Sequence, residues 1–219
     1  MSNYQNIGGL RHKYNESHTA FTESHLVSDD PIKQFDHWFQ EAKNCSKILE
    51  PNAMCLATCN KLGRPSCRFV LLKGYGEEGF TFYTNGESRK GQDMEENSYV
   101  SIAFYWEHLS RQIRIEGQVS KLPEEESLKY FKSRPISSQI SAAASQQSSV
   151  IESREVLVEK ATELQEKFGD NVEKPKHWGG YLINPDKIEF WQGQSNRLHD
   201  RIIFERKEGS AWVRYRLAP

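Results

Sequence analysis

The stretch AMCLATCNKLGRPSCRFVLLKGYGEEGFTFYTN, Ala53 to Asn85, decides the fold. Its segments AMCLATCN, SCRFVLLKGY and GFTFYTN are rich in β-branched and aromatic residues, which suit a pleated surface. KLGR and GYGEEG separate them and read as turns. Two more segments of the same kind follow, YVSIAFYWE from Tyr99 and RQIRIEGQV from Arg111. Between them and the first three, ESRKGQDMEENS breaks the series and predicts a short helix. Strands joined by turns this short pair antiparallel, because a parallel pair needs a long crossover.

Toward the N-terminus, DDPIKQFDHWFQEA predicts a helix with Asp30 as its cap and Pro31 in its first turn. Ile32, Phe35, Phe39 and Ala42 are its expected apolar stripe. Residues 1–28 are polar and aperiodic and read as a flexible arm, leaving 29–219 as one domain. Toward the C-terminus, LPEEESLKYFKSRP predicts a helix with its glutamates at the favourable end and Pro135 at its close. SREVLVEKATELQEKFG predicts another, with Leu157, Ala161, Leu164 and Phe168 on one face and Gly169 as its stop. GGYLIN, KIEFWQG, LHDRIIFER and AWVRYRL return the chain to strands. The expected class is α+β, an antiparallel sheet closed into a small barrel with peripheral helices.

The chain has 219 residues and a formal net charge of -1, which excludes a general polyanion binder and makes any anion recognition local. No apolar run reaches ~18 residues, so no membrane helix is expected. The opening MSNYQNIGGLRHKYNESH lacks the apolar core of a secretion signal, and a cytoplasmic protein is expected. Cys45, Cys55, Cys59 and Cys67 show no zinc-ligand spacing and read as free thiols, with no metal expected.

Four polar clusters interrupt this scaffold. RFVLLKG places Arg68 and Lys73 five residues apart. On a regular strand these would face opposite ways, ~17 Å apart, so they suggest two anion sites. FYTNGESRKG puts Ser88, Arg89 and Lys90 at a helix start. The dipole disfavours cations there unless an anion docks on the free N–H groups. KYFKSRPISSQ sets Tyr130 and Arg134 one turn apart, with Ser138 after the proline, as a phenol, a guanidinium and a hydroxyl suited to phosphate. SQQSSV adds Gln147 and Ser148. Each cluster alone reads equally as a charged strand end, a solvated turn or a cap; jointly they suggest two phosphate-bearing ligands. In WQGQSNRLHDRIIF, Trp191 to Phe204, strand alternation would put Arg197, His199 and Arg201 on one face and Leu198, Ile202 and Phe204 on the other.

The segments RFVLLKGY, FYTNGESRKG, RQIRIEG, YFKSRPISSQI, SQQSSVI, WGGY and EFWQGQSNRLHDRIIFER, with RLAP at the end, resemble the pyridoxine 5′-phosphate oxidase (pyridoxamine-phosphate oxidase) family. The likeness runs from about Leu10 to Pro219. It implies an FMN-binding antiparallel split β-barrel that works as a homodimer. It also implies oxidation of pyridoxine 5′-phosphate or pyridoxamine 5′-phosphate to pyridoxal 5′-phosphate. O2 is the implied acceptor, giving H2O2, with NH3 released from the amine. By matching motif, FMN is expected at Arg68, Phe69, Val70, Leu71, Tyr83, Thr84, Ser88, Arg89, Lys90, Gln112, Gln147, Ser148, Trp191 and Arg201. The substrate is expected at Lys73, Tyr130, Arg134 and Ser138, with Arg197 and His199 as the catalytic pair over its ring. Arg201 is expected to stabilise charge on the reduced flavin. Arg11 and Tyr14 are the expected lid contacts. A carrier or sensor that binds FMN or pyridoxal phosphate without turnover is the alternative, since fold does not fix function. A nucleic-acid-binding barrel is disfavoured by the dispersed basic residues.

Overall fold

The computed structural model describes residues 5–10, 14, 20–207 and 210–219. Strands β1 (Ala53–Cys59), β2 (Pro65–Leu71), β3 (Gly74–Gly76) and β4 (Gly79–Asn85) come first. They are followed by helix α2 (Arg89–Glu96), β5 (Tyr99–Trp106) and β6 (Arg111–Lys121), with α1 (Pro31–Asn44) ahead of them all. Helices α3 (Glu124–Ser133), α4 (Ile136–Ala144) and α5 (Arg154–Phe168) precede β7 (Trp178–Gln192), β8 (Asp200–Glu205) and β9 (Val213–Arg216). The strands form one nine-stranded sheet in the order β2-β1-β5-β6-β7-β4-β3, with β8 on β7 and β9 on β8. The α+β class, with antiparallel pairing of β1·β2, β1·β5, β3·β4, β4·β7 and β8·β9, agrees with the sequence.

The chain divides into two compact units. The first holds residues 1–51, 105–113 and 188–219; the second holds 52–104 and 114–187.

In the first unit Asp30 caps α1 by accepting a hydrogen bond from Ile32 N at 2.9 Å. The buried stripe is Pro31, Gln34, Phe35, Trp38 and Ala42, while Ile32 and Phe39 are only half-buried. Trp38 takes the centre because it offers the largest apolar face. It meets Phe190 edge-on at 5.3 Å, Phe21 at 4.9 Å, and the Arg111 guanidinium 4.4 Å over its ring. Phe21, inside the stretch read as an arm, is therefore packed, and its N–H donates to Asp200. Ile188, Phe190, Ile202, Ile203 and Phe204 complete this core. Arg11 lies outside the described residues.

The strand expected through Arg197, His199 and Arg201 begins only at Asp200. Arg197 N donates to Gln194 O and Leu198 N donates to the Asn196 side chain, closing a turn that carries Arg197 to φ 68°. Side-chain alternation therefore does not reach Arg197 or His199, and Leu198 is exposed while Ile202 and Phe204 are buried.

In the second unit Met54, Leu56, Phe80, Phe82, Ile102, Phe104, Ile115 and Ile183 form the core. Inward positions alternate along β1, which leaves Cys55 and Cys59 half-buried on the other face, and all four cysteines are free. Gly79, at φ 135°, sits where a Cβ would lie 1.9 Å from Ile183 O, so the β3–β4 turn requires glycine. Pro135 ends α3 and also starts α4, a helix the sequence reading did not contain. Phe131 and Ile140 of this pair pack with Val172 and Trp178, and Ala161, Leu164 and Phe168 of α5 lean on that cluster. β7 was read as two segments but runs unbroken through Pro185. Gly117 on β6 allows this passage. Among the described helices none is long and apolar enough to cross a membrane.

A Cβ on Gly117 would stand 2.1 Å from Asn184 O and 2.8 Å from Pro185 Cα. Gly117→Ala is therefore expected to lower stability by ~1–3 kcal/mol, the usual penalty for overpacking a tight contact. Urea-unfolding midpoints of the two proteins check this; an unchanged midpoint would show that β7 can move aside.

Candidate functional site

The sharp exit from β4 into α2 builds a cationic corner. The Asn85 side chain accepts from Glu87 N at 2.8 Å, and Ser88 caps α2 while donating to Asn85 O at 2.6 Å. Lys90 follows in the first turn with its side chain turned inward, 9% exposed. Its ammonium donates to Gln147 Oε1 at 2.6 Å and Ser88 Oγ at 3.1 Å. Thr84 Oγ1 lies 3.5 Å from the same Gln147 oxygen, and Arg89 N donates to Ser148 Oγ at 3.2 Å. The loop that carries Gln147 and Ser148 is thereby tied to the start of α2. Arg68 reaches the corner from β2, held by Leu56 O at 3.1 Å, Thr58 Oγ1 at 2.9 Å and Ser66 Oγ at 3.0 Å. Burial, reinforced by the Arg68 charge, lowers the Lys90 pKa to about 8.

Arg68 and Lys90 line a cavity of ≈ 750 Å³. Phe69, Val70, Leu71, Lys73, Tyr83, Thr84, Tyr130, Arg134, Ser138 and Gln147 line it too. That volume lies in the usual range for a small-molecule site. The regular strand assumed between Arg68 and Lys73 does not extend that far, because β2 ends at Leu71. Beyond it, Lys73 N donates to Thr81 O on β4 at 2.8 Å, and Lys73 borders the same cavity as Arg68.

Aromatic side chains form one wall. Tyr83 and Tyr130 stack with centroids 3.9 Å apart, and Tyr83 stacks on Trp178 at 5.5 Å. The Arg134 guanidinium lies 4.9 Å over the Trp178 ring, a cation–π contact. Its Nη1 is buried without a hydrogen-bond partner. Burial lowers the Arg134 pKa, while Tyr130 opposes that shift. A buried guanidinium N–H without an acceptor is costly, and an anionic ligand would satisfy it.

Gln112, Trp191, Arg197, His199, Arg201 and Tyr14 belong to the first unit. There His199 meets Trp191 at 4.8 Å and the edge of Tyr14 at 5.3 Å, and the Arg197 guanidinium is 5.3 Å over Tyr14. Gln194 N donates to His199 Nδ1 at 3.0 Å, so the neutral ring carries its proton on Nε2. Burial and the Arg197 charge lower the His199 pKa against the opposing pull of Asp200. Arg201 is gripped by both Glu189 oxygens, at 2.7 and 3.0 Å, and by Ala218 O at 2.9 Å. Gln112 is half-buried on β6.

The sequence reading did not single out Thr58, Asp93, Trp178, Glu189 or Gln194. Trp178 was visible only as part of WGGY; Thr58 and Glu189 meet Arg68 and Arg201 from other strands, while Asp93 and Gln194 lie close in sequence to Arg89 and His199 without a motif to mark them. Among the described residues no group of His, Cys, Asp or Glu could hold a metal ion.

Residues 40–168 match the family described as pyridoxamine 5′-phosphate oxidase. Residues 178–219 match the pyridoxine 5′-phosphate oxidase C-terminal dimerisation region. The chain is 53% identical to pyridoxine-5′-phosphate oxidase of Bos taurus, covering 97% of this chain and 87% of that one. It is also 53% identical to pyridoxine/pyridoxamine 5′-phosphate oxidase of Bombyx mori, covering 97% and 89%. Among solved structures, PhzG from Burkholderia lata, in complex with tetrahydrophenazine-1-carboxylic acid, superposes with a TM-score of 0.86 at 32% identity, over 94% of this chain and all (100%) of that one. A pyridoxamine 5′-phosphate oxidase-related, FMN-binding protein from Nostoc punctiforme shares the fold, with a TM-score of 0.68 at 14% identity over 85% of this chain and 96% of that one. The fold is the antiparallel split barrel of these proteins.

Lys90 also supplies a test of the corner. Its folded pKa, about 8, lies below the ordinary lysine value of 10.5, so between the two the folded chain binds fewer protons than the unfolded one. Anion-free stability should therefore rise across that window as pH increases. Inorganic phosphate needs the charged ammonium, so its affinity should fall above pH ~8, by at most tenfold per pH unit for one linked proton. Calorimetric titration of the cofactor-free protein checks this. Lys90→Met should flatten the profile, and a flat wild-type profile would remove Lys90 from the anion site.

Proposed function

The chain belongs to the pyridoxamine 5′-phosphate oxidase family, and we propose that it oxidises pyridoxine 5′-phosphate or pyridoxamine 5′-phosphate to pyridoxal 5′-phosphate with FMN and dioxygen. The alcohol plus O2 gives the aldehyde plus H2O2. The amine plus O2 and H2O gives the aldehyde, NH3 and H2O2. The observation that carries this reading is one cavity bordered by two basic sets, Arg68 with Lys90 and Lys73 with Arg134. FMN and the vitamer each bring one phosphate.

The residues present suit the cofactor. Lys90 is a buried ammonium among neutral acceptors, and a phosphate beside it would offset its desolvation. Arg68, Arg89, Lys90, Gln147 and Ser148 would hold the FMN phosphate; Ser88, expected among them, is buried with its hydroxyl donated to Asn85 O and would act from behind by capping α2 and holding Lys90. Phe69, Val70, Leu71, Tyr83 and Thr84 would hold the body of FMN, with Gln112, Trp191 and Arg201. Bound FMN supplies a two-electron acceptor that dioxygen can reoxidise. Lys73, Tyr130, Arg134 and Ser138 would hold the vitamer phosphate. The Arg134 guanidinium, 4.9 Å over the Trp178 ring, has little side-chain freedom left to lose when the phosphate arrives.

Arg197 and His199 would act on the substrate ring. With Nδ1 occupied by Gln194 N–H and its pKa lowered, His199 is neutral near pH 7 and offers a donor at Nε2. Its role is therefore to donate a hydrogen bond, and removing a proton through Nε2 would need the other tautomer. Glu189 balances the charge of Arg201, so Arg201 contributes a fixed set of N–H donors more than a net positive field. The match of residues 178–219 to a dimerisation region supports a homodimer as the working form.

Two measurements test the proposal. The FMN-loaded protein mixed anaerobically with pyridoxine 5′-phosphate should lose its yellow flavin band and regain it on admission of air. A protein that takes up FMN but stays yellow is a carrier and not an oxidase. Arg134→Ala should raise KM by ~10–100-fold with kcat little changed, the loss expected for a hydrogen bond to a charged group. A normal KM would remove Arg134 from the phosphate grip.

A further inference from the structure

One carboxylate behind the cationic corner has no part in the assignments above. Asp93 lies one helical turn after Arg89 on α2 and is 2% exposed, so it cannot itself meet a ligand in the cavity. Its Oδ1 accepts from Arg89 Nε at 3.1 Å, and its Oδ2 accepts from Thr58 Oγ1 at 2.7 Å and lies 4.0 Å from Arg68 Nη2. Thr58 Oγ1 in turn accepts from Arg68 Nη1 at 2.9 Å. A continuous chain therefore runs Arg68 N–H to Thr58 O–H to the Asp93 carboxylate, with Arg89 joined at the other oxygen. Each link polarises the next.

We propose that Asp93 is the positioning residue of the FMN phosphate site, fixing Arg68 through Thr58 and Arg89 directly so that both guanidinium groups wait in place for the anion. This rests on the FMN reading above and extends it to a residue that touches no ligand. Two observations favour positioning over simple filling of the core. Asp93 uses both oxygens on groups that themselves serve the corner, and Arg89 is bound through Nε, a contact that does not require its two terminal nitrogens. Without the carboxylate, Arg68 and Arg89 lose their shared counter-charge and repel each other beside Lys90. Pinning the two side chains beforehand lowers the entropy lost when phosphate arrives. Burial alone would raise the Asp93 pKa, but Thr58, Arg89 and Arg68 bring it below the ordinary carboxylate value, so the group is ionised wherever the enzyme works.

The test compares FMN with riboflavin, which has the same ring system and no phosphate, by flavin-fluorescence titration of the cofactor-free full chain. Wild type should prefer FMN. Asp93→Ala should weaken FMN by about tenfold, ~1.4 kcal/mol, and leave riboflavin unchanged. Thr58→Val should cost selectivity in the same direction. The double variant should lose less than the sum of the two, because both act through one chain of hydrogen bonds. Equal losses for the two flavins would reduce Asp93 to a structural residue and overturn the inference. Unchanged or tighter FMN binding would also overturn it, the latter by showing that the carboxylate merely subtracts charge. If Asp93→Ala does not fold, Thr58→Val decides by the same criterion. A wild type that shows no preference for FMN sinks the parent reading as well; a selective wild type with unchanged variants sinks this inference alone.

Discussion

The second unit is organised around a buried ammonium that its surroundings make costly to keep charged. Lys90 sits at the positive end of α2, within reach of the Arg68 field and almost out of water. Two neutral acceptors, Ser88 Oγ and Gln147 Oε1, are what the protein itself offers it. Placing them requires the β4–α2 turn, the capping geometry of Ser88 and the loop after α4 to converge. The same convergence brings Thr84 and Ser148 to the corner. An anion there relieves the ammonium, the helix end and Arg68 together, so one ligand satisfies three unfavourable placements.

Much of this was legible in the sequence because it is local. Strand composition and turn chemistry locate β1, β2, β4, β5 and β6, though not the short β3 inside the expected GYGEEG turn, and Asp30, Pro31 and Gly169 mark helix ends by mechanisms confined to a few residues. RFVLLKG, ESRKG and SQQSSV were each ambiguous, yet the sheet and α2 bring them together. Part of what failed depended on distant partners, and part on local turns. Trp38 displaced Phe39 from the core because Phe21 and Phe190 arrive from elsewhere in the chain. β7 continues through Pro185 because a glycine on β6 leaves room. Arg197 and His199 left the strand because Asn196 and Gln194 close a turn that alternation cannot foresee. The five-residue separation of Arg68 and Lys73 was read on a straight strand, and β2 ends between them.

Charged residues that serve a site are themselves served by others. Arg201 is locked by Glu189, His199 by Gln194, and Arg68 with Arg89 by Asp93. None of these supporting groups announces itself in sequence, since a lone glutamate or glutamine in a strand or turn reads as solvated surface. Their effect on chemistry is nevertheless specific. Gln194 chooses the tautomer of His199, and Glu189 converts Arg201 from a field source into an oriented donor set.

The two basic sets differ in a way that suits ligands of different residence. Arg68, Arg89 and Lys90 belong to a network held in place by Thr58, Ser66, Gln147 and an internal carboxylate. Such a network is rigid before any ligand arrives, and rigidity of that kind favours slow release. Arg134 has no carboxylate partner among the described ion pairs; it rests on the Trp178 face with one N–H unpaired. A ligand held there would meet cations that are less fixed beforehand, which limits how tightly it can be retained. A resident cofactor needs the first arrangement, and a molecule that must enter and leave in every cycle needs the second. Under the proposed function, the distribution of internal hydrogen bonds, more than the number of cations, would separate a cofactor anchor from a substrate grip within one cavity.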